Sequence, residues 1–121
     1  MRIEECYQEM GGNYADVIAR LPSPQLIHRF VLKFLEDPSY AALCGAMDAG
    51  SREASFRAAH TLKGVCANLG FARLLESASA LTEILRSEAD DIPKSAFALM
   101  EKVRGDYQRT VDAIRRYRDE A

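Results

Sequence analysis

The chain has 121 residues, 48% of them hydrophobic and 28% charged. That length suits one compact domain with its own core, and the composition excludes a disordered chain. With 16 basic and 18 acidic residues and a formal net charge of −2, nothing marks nucleic-acid binding as its business.

β signals are nearly absent, with no sustained alternation and no Asn-Gly or Asp-Gly hairpin cue. Helix punctuation is frequent instead. An amphipathic stretch over residues 1–10 ends at Gly11-Gly12. Asn13 caps a short helix through Leu21. Ser23 followed by Pro24 pairs an N-cap with a first-turn proline. The segment "QLIHRFVLKFLE" then places Leu26, Ile27, Phe30, Val31, Phe34 and Leu35 on one helical face. His28 falls between those positions and is expected to be exposed. Asp37-Pro38 repeats the cap-and-proline signal, and that helix runs to about Ala49 before Gly50. Ser51 caps the next helix, which Gly70 ends. A helix from about Phe71 to Ser87 follows at once. "EADDIP" reads as a loop, and Pro93 opens a last helix to about Tyr117. The mixed charges of "RRYRDE" read as a solvated face.

The expectation is therefore an all-α single domain over residues 1–121. Short N-terminal helices precede an antiparallel up-and-down four-helix bundle, because short connections make antiparallel neighbours. The hairpin hinged at Gly70 spans residues 51–88, and the C-terminal helix about 93–117. No segment approaches the roughly 20 apolar residues that cross a bilayer. "MRIEECYQEM" lacks the apolar run of a signal peptide, so a cytosolic location is the default. Cys6, Cys44 and Cys66 fit no metal motif and read as reduced, partly buried thiols.

The helix over residues 51–69 carries the chemistry. At about 100° per residue, Ala58, Leu62, Val65, Cys66 and Leu69 form a core stripe. Phe56, His60, Lys63, Gly64 and Ala67 fall on roughly the opposite side. A glycine inside a helix costs roughly 1 kcal/mol relative to alanine, so Gly64 asks for a reason. Helical side chains lean toward the N-terminus, and a side chain at 64 would lie over His60. Gly64 leaves the imidazole open. Lys63 stands beside it with a mobile positive charge. An open imidazole with an unperturbed pKa of about 6.5 is a nucleophile near neutral pH. An adjacent ammonium can neutralise a phosphoryl group carried on the ring.

"AAHTLKGVCANLGFARL" resembles the histidine-containing phosphotransfer domain family, whose pattern is His-x-Leu-Lys-Gly-x-x-x-x-Leu-Gly. His60, Leu62, Lys63, Gly64, Leu69 and Gly70 meet it without departure. Weaker similarity covers about residues 13–88, and the last helix matches by length and position only. The resemblance implies a four-helix bundle with a solvent-exposed histidine that takes a phosphoryl group from a receiver-domain aspartate and passes it to another receiver. His60 is then the phospho-acceptor, Lys63 the phosphate support, and Gly64 the residue that keeps access open. Hinge geometry places residues near 80 level with His60 on the partner helix, where Thr82 and Arg86 are the polar candidates. The family often has Gln where this chain has Thr82. Phe56 and Ala67 would add apolar area for docking.

No metal and no cofactor of its own is expected, since the receiver supplies Mg²⁺ and the acidic pocket. The implied partners are response-regulator receiver domains and a hybrid histidine kinase, with no nucleic acid, no membrane and a monomeric state. The chain holds no ATP site and is expected to be a phosphocarrier, not an enzyme. Two other readings stay open. One is the phospho-acceptor module of a chemotaxis-type kinase. The other is a helical adaptor that binds receivers without transfer.

Overall fold

The computed structural model describes residues 1–120. Among these residues there is no strand, and the helices begin and end where the local chemistry directs. The helix α1 covers Ile3–Met10 and closes on Gly11 at φ 75°. The helix α2, Tyr14–Arg20, starts at Asn13, whose side chain accepts from the Asp16 amide. The helix α3, Pro24–Lys33, uses Ser23 in the same way toward Leu26 and has Pro24 in its first turn. Each such cap satisfies an orphan amide and contributes on the order of 1 kcal/mol.

The apolar run after Ser23 does not continue as one helix. A 3-10 turn over Phe34–Glu36 tightens the end of α3. Asp37 then accepts from the Ser39 amide at 2.9 Å, and α4 runs over Ser39–Asp48. Ser51 caps α5, Arg52–Leu69, through the Ala54 amide. The following helices are α6, Ala72–Leu85, and α7, Ser95–Asp119. The helix α6 is shorter than expected at both ends, and α7 runs two residues further.

Neighbours in sequence are neighbours in space: α4 packs on α5, α5 on α6 and α6 on α7, while α1 lies along α7. The pair α5 and α6 runs antiparallel, because Arg52 at the start of α5 donates to the Leu85 carbonyl at the end of α6. The hinge between them is Gly70, at φ 70°. A Cβ there would lie 2.8 Å from the Asn13 carbonyl oxygen and 3.3 Å from the Val17 Cβ. Glycine is therefore required twice over, for its left-handed backbone and for the close approach.

That approach is a clasp. The Asn13 amide donates to the Gly70 carbonyl at 2.8 Å, and the Arg73 amide to the Gly11 carbonyl at 3.1 Å. The Tyr7 hydroxyl donates to the Leu69 carbonyl at 2.6 Å. Around the clasp, Phe71 makes aromatic contacts with Tyr7 and Phe34, at centroid distances of 5.7 and 5.0 Å. Such edge-on and tilted pairs add about 0.5–1.5 kcal/mol each beyond their area. The short N-terminal helices thus brace the hinge of the long hairpin.

The core differs from the expected stripes in three places. In α5 the fully buried line is Ser55, Ala59, Leu62 and Cys66, while Ala58, Val65 and Leu69 are half-buried. Both α4 and α6 pack on α5. Phe30, expected in the core, is 42% exposed, since α3 buries only the narrower line of Ile27 and Val31. His28, expected to be exposed, is half-buried, and its Nδ1 lies 2.6 Å from the Tyr117 hydroxyl. The last turns of α7 pack against α3 there. Cys6, Cys44 and Cys66 are all free thiols, Cys6 and Cys66 buried and Cys44 half-buried.

Candidate functional site

The exposed face of α5 lies opposite the line of Ser55, Ala59, Leu62 and Cys66. His60, Gly64 and Ala67 are exposed there, and Phe56 and Lys63 are half-buried. Caps at Ser51 and Gly70 leave this face in the regular middle of an 18-residue helix. One turn of spacing therefore holds His60 and Gly64 in fixed relation.

A Cβ added at Gly64 would meet nothing within 4 Å. The same is true of Gly45 and Gly105, so open space alone does not distinguish Gly64. Its place one turn beyond His60 does. The protein's own packing gives no reason for a glycine there.

Among the described residues, neither ring nitrogen of His60 has a hydrogen-bond partner, and Lys63 is in no ion pair. What the imidazole touches is Phe56. The two rings are nearly parallel, 17° apart, with centroids 6.0 Å apart. Arg86 comes to this cluster from the end of α6, its guanidinium carbon 5.0 Å from the Phe56 centroid. The same guanidinium has a long contact with Glu83 at 3.4 Å. Arg52 fixes the end of α6 through the Leu85 and Ala89 carbonyls. The structure thus brings Phe56, His60 and Arg86 together.

Thr82 does not join them. It is fully buried, and its hydroxyl donates to the Ala78 carbonyl one turn back, at 2.7 Å. The expectation that it faces His60 as a polar group is corrected by the helix register. Thr82 belongs to the core line of Ala78, Leu81 and Leu85 along α6. Its hydroxyl is satisfied locally, as buried threonines in helices commonly are.

Ala67 is exposed, and its carbonyl accepts from Arg20 of α2 at 2.9 Å. Arg20 is also paired with Asp16 at 2.9 Å. This third cation of the face was not readable from the sequence, because 47 residues separate it from its acceptor. Beside the face, α3, the 3-10 turn and α5 enclose an open apolar cavity of about 400 Å³, with Phe30, Phe34, Val65 and Leu69 in its walls. Among the described residues no three metal-ligating side chains converge, and no helix is long and apolar enough to cross a membrane.

No curated protein and no solved structure matches this chain. The family model of the Hpt domain matches residues 35–117. The match starts after α3 and takes in nearly all of α7, so it reaches further toward the C-terminus than the resemblance over residues 13–88. It covers more than half of the chain and contains the whole exposed face of α5. The chain belongs to the Hpt domain family.

Proposed function

We propose that this protein is a phosphorelay carrier whose His60 accepts a phosphoryl group from a receiver-domain phospho-aspartate and hands it to the aspartate of another receiver. Family membership implies histidine phosphotransfer within a phosphorelay. The observation that carries the residue assignment is the exposed, unpartnered imidazole of His60 with open space over Gly64.

The transfer runs as a displacement at phosphorus. The ring nitrogen bearing the lone pair attacks, a nitrogen–phosphorus bond forms, and the bond from phosphorus to the aspartyl oxygen breaks. The carboxylate leaves with the electron pair, and transfer onward is the reverse. Charge on the moving group is the main obstacle, so positioning and cations matter most. The partner receiver supplies Mg²⁺ and its acidic pocket. On this chain, Lys63 supplies positive charge beside the ring, and Gly64 admits the partner. Ala67 lies within the docking surface. Thr82, turned inward, has no part in orienting the ring.

The fold that presents this face is read as the antiparallel four-helix bundle of α4 to α7 within one domain, working as a monomer. The neighbour order of those helices and the antiparallel α5–α6 hairpin support the bundle. The deciding experiment uses His60→Gln. The variant should fold normally and take no acid-labile phosphoryl label from a panel of phosphorylated receivers that label the wild type. Undiminished labelling of the variant would overturn the assignment.

A further inference from the structure

We infer that Phe56 is a positioning residue for phosphoryl transfer: its ring, clamped by Arg86, holds the His60 imidazole in one orientation. This rests on the reading of His60 as the phospho-acceptor.

A histidine ring turns freely about its last side-chain bond unless something holds it, because that torsion has broad wells. Hydrogen bonds usually do the holding. Here no described residue offers one to His60, and Thr82 on α6 spends its hydroxyl on Ala78. The contact that depends on ring orientation is the parallel one with Phe56, at 6.0 Å and 17°. That lies within the range of offset stacking.

Phe56 is itself held. It is half-buried and packs against the core. The Arg86 guanidinium covers its face at 5.0 Å, within the reach of a cation–π contact. Arg86 ends α6, and Arg52 ties that end to the first turn of α5 through Leu85 and Ala89. The chain of contacts runs from α5 to α6 and back to the imidazole one turn further along α5. An oriented ring keeps its attacking nitrogen aimed outward, so part of the cost of alignment is met before the receiver arrives.

The test separates positioning from docking. Phe56→Leu keeps an apolar side chain and loses the aromatic face; Phe56→Tyr keeps the ring. In single-turnover transfer from a phosphorylated receiver, Phe56→Leu should lower the saturating rate about twofold to tenfold, the range an aromatic pair provides. The half-saturating receiver concentration should stay unchanged, and Phe56→Tyr should restore the rate. Arg86→Met should give a smaller loss, and the double variant Phe56→Leu/Arg86→Met should be no slower than Phe56→Leu alone. The His60 ring-proton resonances of the unphosphorylated protein should carry a ring-current shift in wild type and Phe56→Tyr that vanishes in Phe56→Leu. A change in half-saturating concentration alone would overturn the inference and make Phe56 a docking contact. So would His60 resonances that ignore Phe56→Leu. If the wild type takes no label, the reading of His60 falls, while the ring-proton shifts still decide whether Phe56 orients the imidazole.

Discussion

Replacing Gly64 should make the protein more stable and less able to transfer. The stability half follows from the helix. Gly64 is interior to α5, and a Cβ there meets nothing within 4 Å. Gly64→Ala therefore relieves the backbone entropy cost of glycine without a clash, a gain of about 0.5–1 kcal/mol. For a domain of this size that raises Tm by about 2–5 °C. Gly45→Ala in α4 and Gly105→Ala in α7 are matched controls, since their sites are equally open. The functional half follows from place. Only a side chain at 64 leans over His60. Gly64→Gln should lower the rate of phosphoryl transfer by about tenfold or more, because small displacements of reacting groups are costly. Gly64→Ala should lower it less, and both control variants should transfer at the wild-type rate. Thermal unfolding and single-turnover labelling measure the two halves separately. Wild-type transfer by Gly64→Gln would refute the account of the glycine, as would an equal loss in Gly45→Ala or Gly105→Ala.

Gly70→Ala should act in the opposite sense, because its φ is 70° and its Cβ would lie 2.8 Å from the Asn13 carbonyl. The left-handed backbone and the clash together predict a loss of about 2–4 kcal/mol, read by denaturant midpoint. Thr82→Val should change stability by no more than about 1 kcal/mol and leave transfer untouched, since the hydroxyl bonds only its own helix; a large transfer defect would return Thr82 to the site. Tyr117→Phe removes the 2.6 Å contact with His28 and should cost about 0.5–1.5 kcal/mol with no effect on labelling of His60. Burial pushes the Cys6 and Cys66 thiols up from 9.0 to about 12, so a thiol reagent at pH 8 should find only Cys44 in the native protein and all three after unfolding. The same shifts lower stability at alkaline pH. The unfolded thiols ionise near pH 9 while the folded ones stay protonated, so the folded state binds more protons above pH 9. Stability must then fall as pH rises from 9 toward 12, which urea titrations across that range would show.

What local chemistry determines was legible in the chain itself. Asn13, Ser23 and Ser51 cap their own helices through amides three residues on. Helical period alone puts His60 and Gly64 on the face away from Leu62 and Cys66. These interactions span a turn or less and need no knowledge of the fold. The rest depends on which helix lies beside which, and on how each is rotated. Thr82 was expected to face His60 from its level along α6, but a rotation that buries Ala78 and Leu85 carries it inside. The contact of Arg86 with Phe56, and through it with His60, joins residues 30 apart that only the α5–α6 hairpin brings together. Arg20 reaches Ala67 across 47 residues, and Tyr7 reaches Leu69 across 62. By itself the sequence determined the helices, the hinge and the exposed histidine, because those follow from period and caps. Only the tertiary structure decided what stands around the imidazole, because packing sets the rotation of each helix about its own axis.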